Sequence, residues 1–302
     1  MDVLANSFVT RIIELHGDTG RKWLESLPGL IASIERRWDI QTMETFQPLT
    51  YNYVAPVLKA DGTEAVLKLA VPGDHFIREE TCLRRYAGHA APKLYRVERQ
   101  LGAMLLERIR PGANLKTLSE AAAIEAAVSV MRLLHKTAAP DSLFPTVMDW
   151  WNGFARYRAA FTGDAGPLPS KLVAEAEELY GELASSMEAP VLLHGDLHHE
   201  NILAGERLPW IAIDPQGVLG EPVYEVGAFL RNPMPDLLQL PGWKEILEER
   251  VDAFSELMEI DRKRIAGWGF SQAVLSGIWS LEDHGRGWEG ALEVAAILHR
   301  FA

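Results

Sequence analysis

The stretch from Pro190 to Pro215 constrains this chain more than any other. It holds two short apolar runs, Val191-Leu192-Leu193 and Trp210-Ile211-Ala212-Ile213, with Asn201-Ile202-Leu203 between them and a polar turn at Gly205-Glu206-Arg207. Apolar runs this short, bounded by turn residues, read as strands. The polar residues therefore fall on loops at strand ends: His194-Gly195-Asp196-Leu197-His198-His199-Glu200-Asn201 follows the first run, and Asp214-Pro215 closes the last. Asp196 stands five residues before Asn201, and Asp214 follows thirteen residues later. Strands fix such oxygens while the loops leave them open to a ligand.

An acid, an amide and a second acid in that order suit phosphoryl transfer to a hydroxyl. The reaction needs a carboxylate to orient the hydroxyl and accept its proton, and oxygen ligands to fix magnesium against the nucleotide phosphates. Asp196 fits the first role, and Asn201 and Asp214 fit the second. Either Asp196 or Asn201 alone would read as a turn cap. A competing reading takes His194, Asp196, His198 and His199 as ligands of a metal-dependent phosphoesterase; it leaves Asn201 and Asp214 without work, and His198 and His199 read better as residues that shape the loop. A ligand-binding protein without catalysis would be marked by loss of one member of the trio, and all three are present.

The rest of the chain reads as two regions. Apolar residues at helical spacing, Phe8, Ile12 and Leu15, then Leu27, Leu30, Ile31, Ile34 and Trp38, predict two short helices before the first sheet. Residues 54–71 contain two strand-like runs joined at Asp61-Gly62, a hairpin signal. A helix is expected from His75 to Gly88, and Gly102 to Ile109 reads as a buried strand stopped by Pro111-Gly112. Beyond it the chain turns helical, with Ser119 as an N-cap, a helix from Ser170, and apolar faces at Ile246 to Leu257 and Ile265 to Trp279. At 302 residues the chain exceeds one ordinary core, since single cores rarely grow past about 250–300 residues.

Charge and composition narrow the partners. A formal charge of −12 argues against a nucleic-acid backbone and weakly favours a cationic or hydroxylated small molecule. The single cysteine, Cys82, allows no intrachain disulfide. The first residues carry Asp2, Arg11 and Glu14 among their apolar positions, unlike a signal peptide, and no apolar run approaches the ~18 residues of a membrane span. A cytoplasmic protein with no membrane partner is expected.

His194-Gly195-Asp196, Asn201 and Asp214 stand at the spacing of the protein-kinase catalytic loop and metal-binding aspartate, and the wording resembles the aminoglycoside phosphotransferase family. Further blocks resemble its streptomycin 6-phosphotransferase and aminoglycoside/hydroxyurea resistance branch: Leu105-Leu106-Glu107-Arg108 with Pro111-Gly112, Asp214-Pro215-Gln216-Gly217, Arg231-Asn232-Pro233, and Leu275-Ser276-Gly277-Ile278-Trp279 with Glu282-Asp283. The resemblance implies an α+β, two-lobed protein-kinase-like fold. Its small antiparallel β N-terminal lobe with leading helices would span residues 1–108, and its larger, mainly helical C-terminal lobe 109–302.

It also implies ATP and Mg2+ as cofactors, Asp196 as catalytic base, and Asn201 and Asp214 as metal ligands. Lys68, in the strand Ala65-Val66-Leu67-Lys68, would meet the nucleotide phosphates, held by Glu79 in preference to Glu80. The main chain of Glu107 to Ile109 would meet adenine. Trp279, Glu282 and Asp283 would face the acceptor, most specifically the 6-hydroxyl of streptomycin, with hydroxyurea, a sugar or an amino alcohol as other acceptors. Glu225 stands where relatives carry aspartate and reads as a structural residue of a helix start. One departure is plain: residues 48–57, which would cover the phosphates, contain no glycine.

Overall fold

The computed structural model describes residues 5–137, 143–161 and 165–302. It divides into two compact units, one ending at Arg110 and the other beginning at Pro111. Arg110, the last residue of the first unit, grips Glu64 with its guanidinium at 2.6 to 3.1 Å.

The first unit opens with α1, Asn6–Trp38, kinked at Gly17 where the backbone takes φ 55 and ψ −131. The two expected helices are thus joined through a residue that tolerates positive φ. The kink also breaks the apolar stripe, so Leu15 is exposed while Phe8, Ile12, Trp23, Leu27 and Ile34 are buried. Five antiparallel strands follow: β1 (Ile40–Thr42), β2 (Tyr53–Lys59), β3 (Glu64–Leu69), β4 (Leu94–Glu98) and β5 (Ala103–Glu107), in the order β1-β2-β3-β5-β4. At the β2–β3 turn Gly62 has φ 79, and Asp61 Oδ1 accepts hydrogen bonds from the Thr63 N–H and hydroxyl. The helix α2, Asp74–Tyr86, connects β3 to β4 and ends at a left-handed Ala87.

Strand periodicity then decides where Lys68 points. Ala65, Leu67 and Leu69 join the apolar core formed with α1, Ala103 and Leu105. Residues 66 and 68 therefore face the opposite side of the sheet. Burying Leu67 stabilises this unit by about 1.5–3 kcal/mol. The strand β4 escaped sequence reading because it is an edge strand whose middle residues, Tyr95 and Arg96, are exposed.

The second unit carries β6 (Pro111–Asn114), α3 (Glu120–Thr137), α4 (Val147–Ala160), α5 (Ser170–Ser185), β7 (Val191–Leu193), β8 (Ile202–Gly205), β9 (Trp210–Ala212) and β10 (Val218–Gly220). Five helices complete it: α6 (Val226–Leu230), α7 (Asp236–Gln239), α8 (Trp243–Met258), α9 (Arg262–His284) and α10 (Glu289–Leu298). Its strands form two small antiparallel sheets, β6-β8-β9 and β7-β10. The long α9 is buried almost all round from Ile265 to Leu275, packed by α4, α5, α6, α8 and α10. The helix α4 was not expected, although its capping box, Thr146 with Asp149, is written in the sequence. Among the described residues no helix is long and apolar enough to cross a membrane.

Candidate active site

The strand β7 delivers His194, Gly195 and Asp196 to its C-terminal end. His194 is buried, with Nε2 2.8 Å from the Ile213 carbonyl oxygen and Nδ1 3.3 Å from the Asp196 N–H. A carbonyl only accepts and an N–H only donates, so we assign the neutral tautomer with hydrogen on Nε2. Burial favours the same neutral form by lowering the ring's pKa, against the opposing charge of Glu225. Gly195 adopts φ 86, and a Cβ there would lie 2.9 Å from the Trp150 ring. The Glu225 carboxylate accepts from the backbone N–H groups of His194 at 2.7 Å and Gly195 at 2.8 Å, which fixes the loop from beneath.

Asp196 keeps a third of its side chain open to solvent. His198 Nε2 lies 3.6 Å from one carboxylate oxygen and Arg231 Nη2 3.5 Å from the other. Burial raises the carboxyl's pKa, but the neighbouring His198 ring and the charge of Arg231 together outweigh it and leave the value at about 2. The group is ionised at neutral pH and presents hydrogen-bond acceptors only.

Asn201 is tied to this loop, because its Nδ2 donates to the Asp196 carbonyl at 2.9 Å. That contact leaves Oδ1 as the amide's electron-rich end. The β8–β9 ladder pairs Ile202 with Ala212 and extends by one bond from the Ile213 N–H to the Asn201 carbonyl at 2.8 Å. Asp214 therefore comes directly after the residue opposite Asn201, in a left-handed turn with φ 59. An amide oxygen and a carboxylate are hard donors of the kind magnesium takes, and Asn201 and Asp214 would supply them. His198 accepts from the Glu200 N–H, and His199 is buried against Phe229 with ring centroids 3.9 Å apart. Both histidines thus have structural work, and among the described residues no three His, Cys, Asp or Glu side chains gather into a metal cluster.

In the first unit the Lys68 ammonium lies 2.6 Å from Glu79 Oε1, with both side chains buried. Glu80, the alternative partner, is fully buried and bound by Arg84 and Arg99. Glu107 ends β5, where its carboxylate accepts from the Lys93 N–H at 3.0 Å, and Ile109 is buried two residues on.

The expected acceptor residues lie at the end of α9. Trp279 meets Trp150 edge to face at 5.5 Å, so Trp150 links it to Gly195 of the loop that carries Asp196. Glu282 is gripped by both arms of Arg156 at 3.0 and 2.9 Å, so its charge is met within the protein. Partial burial raises the Asp283 carboxyl's pKa, His284 opposing.

Comparison with known proteins decides the lineage. Residues 37–284 match the aminoglycoside/hydroxyurea antibiotic resistance kinase family. The chain belongs to that family. Among curated relatives, a streptomycin 6-kinase of Streptomyces glaucescens is 29% identical over 93% of this chain and 90% of its own length. A hydroxyurea phosphotransferase of Kitasatospora aureofaciens is 32% identical over 88% of this chain and 77% of its own. A solved choline kinase of Streptococcus pneumoniae superposes with a TM-score of 0.66 at 13% identity, covering 91% of this chain and 99% of that one, which shows the shared kinase-like fold.

The matched interval of this antibiotic-resistance kinase takes in the whole constellation. Two further residues border this loop that sequence reading did not assign to the site: Arg231, beside Asp196 and within a block noted only for its wording, and Trp150, beside Gly195 on an unexpected helix. No spacing rule links either to Asp196, since loops and helices of variable length separate them. The role of Glu225 was legible only as a structural one.

Proposed function

We propose that this kinase transfers the γ-phosphate of magnesium-bound ATP to the 6-hydroxyl of streptomycin. The observation that carries the reading is the Asn201 amide bonded to the Asp196 main chain, which makes base and metal ligand parts of one rigid loop. Asp196 receives the hydrogen bond of the attacking hydroxyl. As the new O–P bond forms and the bond from γ-phosphorus to the β,γ-bridging oxygen breaks, the hydroxyl proton passes to Asp196 and ADP leaves. A carboxylate with so low a pKa is a weak base at rest, which suits a loose transition state where the proton moves late and positioning dominates.

Asn201 and Asp214 would hold magnesium, which supplies charge neutralisation to the phosphates. Lys68, kept in place by Glu79, meets the phosphates, and the main chain of Glu107 and Ile109 meets adenine. Trp150 and Trp279 offer aromatic surface to the guanidinium groups of the acceptor, with Asp283 contributing charge more than the Arg156-bound Glu282. The test is a panel of streptomycin, hydroxyurea, sugars and amino alcohols with γ-labelled ATP, and NMR of the labelled product. Label on the streptomycin 6-hydroxyl is expected. Unmodified streptomycin alongside turnover of another acceptor rejects the substrate.

A further inference from the structure

The segment before β2 lacks the glycines with which nucleotide-binding loops bring backbone N–H groups onto phosphates. It is nevertheless tied to the nucleotide side of the first unit. The Phe46 N–H donates to the Val54 carbonyl at 3.1 Å, Val54 pairs with Lys68, and Lys68 pairs with Met104. Phe46 therefore lies in the same cross-strand row as Lys68.

Arg108 reaches that row from the other end. It follows β5 directly, and its guanidinium carbon sits 4.4 Å from the centre of the Phe46 ring. Its Nε and Nη1 atoms are buried and hydrogen-bond to nothing among the described residues. Glu64, the acid whose charge supports it, is already taken by Arg110. Burial and the charge of Arg110 both work against this cation, while Glu64 supports it. Buried donors on a permanent cation are costly when unpaired, and such a group calls for an acceptor from outside the protein.

We propose that Arg108, oriented at the end of β5 by its stack on Phe46, donates hydrogen bonds to the nucleotide's phosphate chain, supplying donors that a glycine-rich loop supplies elsewhere. The inference rests on the ATP-dependent reading above and names a residue to which that reading gives no side-chain role. A planar guanidinium with several N–H groups suits phosphate oxygens, and the aromatic stack orders it before the nucleotide arrives.

Calorimetric titration with adenosine, AMP, ADP and ATP, on the wild type, Arg108→Met and Arg108→Lys, decides the matter. Arg108→Met should melt no lower than the wild type without nucleotide, because it removes two buried N–H donors that have no partner among the described residues. It should bind ATP and ADP about tenfold more weakly and adenosine equally well, a loss typical of one charge-assisted hydrogen-bond partner. Arg108→Lys should recover part of the loss. Should Arg108→Met not fold, Phe46→Leu, which removes only the stack, should weaken ATP about threefold and leave adenosine unchanged. Unchanged ATP affinity in these variants, or an equal loss for adenosine, overturns the phosphate contact. Wild-type protein that binds no nucleotide at all would instead sink the kinase reading.

Discussion

The Glu225 carboxylate accepts the His194 backbone N–H at 2.7 Å and, through its other oxygen, the N–H of Gly195. The loop that presents Asp196 thus hangs from a buried acid twenty-nine positions further along the chain. Charge-assisted bonds of this kind are stronger than neutral ones, and an orphaned N–H in the interior is costly. Glu225→Gln keeps the shape but turns an NH2 group toward one N–H. We expect it to lose about 1–3 kcal/mol of stability, with turnover falling as well. Urea denaturation curves that superpose on the wild type would rule this out.

The Lys68–Glu79 pair predicts coupling between two distant positions in sequence. Lys68→Ala should raise the KM for ATP strongly, and Glu79→Ala more mildly because it acts through the lysine. The double variant should be no worse than Lys68→Ala, since the pair works as a unit. Glu80→Ala, which strips Arg84 and Arg99 of their partner, should lower stability with much less effect on nucleotide use. Independent, additive effects of Lys68 and Glu79 in steady-state kinetics would break the assignment.

Much of this was legible in sequence because motif spacing survives folding. The strands around Asp196, Asn201 and Asp214 are short, so their order in the chain is nearly their order in space. Lys68 was legible for a different reason: a charge amid apolar strand residues must find a partner, and Glu79 follows within the next helix. Arg231, just past α6, and Trp150, on α4, reach the same loop through tertiary packing, which leaves no periodic trace. The engagement of Glu282 by Arg156 was invisible because the two residues lie 126 positions apart. Arg108 stood in a recognised block, but only the fold shows that its Nε and Nη1 are buried without partners among the described residues.

Stability should fall on the acid side through buried histidines. His199 is held to a pKa of about 2 by burial first and then by the charge of Arg250. Its folded value is depressed below the unfolded one of about 6.5, so below that pH the unfolded chain binds the extra proton. The contribution of neutral His199 is therefore complete above pH 6.5 and is lost as pH falls toward 2. His194 acts in the same direction. In His199→Gln, the unfolding free energy should drop less steeply between pH 6 and 5 than in the wild type, by up to about 1.4 kcal/mol per pH unit. Parallel curves would show that His199 does not titrate on unfolding.

Asn201 and Asp214 should be separable from Asp196 by metal dependence. Asn201→Ala and Asp214→Asn are expected to raise the magnesium concentration for half-maximal activity as well as to reduce rate, since each removes or weakens a hard oxygen ligand. The Asn201 variant should show an added loss, because its amide also supports the Asp196 carbonyl. Magnesium titrations with unchanged midpoints would reject the ligand role for both.

The most direct measurement is the turnover of Asp196→Asn with γ-labelled ATP and streptomycin, alongside its calorimetric affinity for ATP. Asparagine preserves the side chain's size but cannot take the hydroxyl's proton and no longer balances Arg231. Turnover should fall about a hundredfold or more while ATP affinity stays close to the wild type. Near-normal phosphate transfer by this variant would contradict the account.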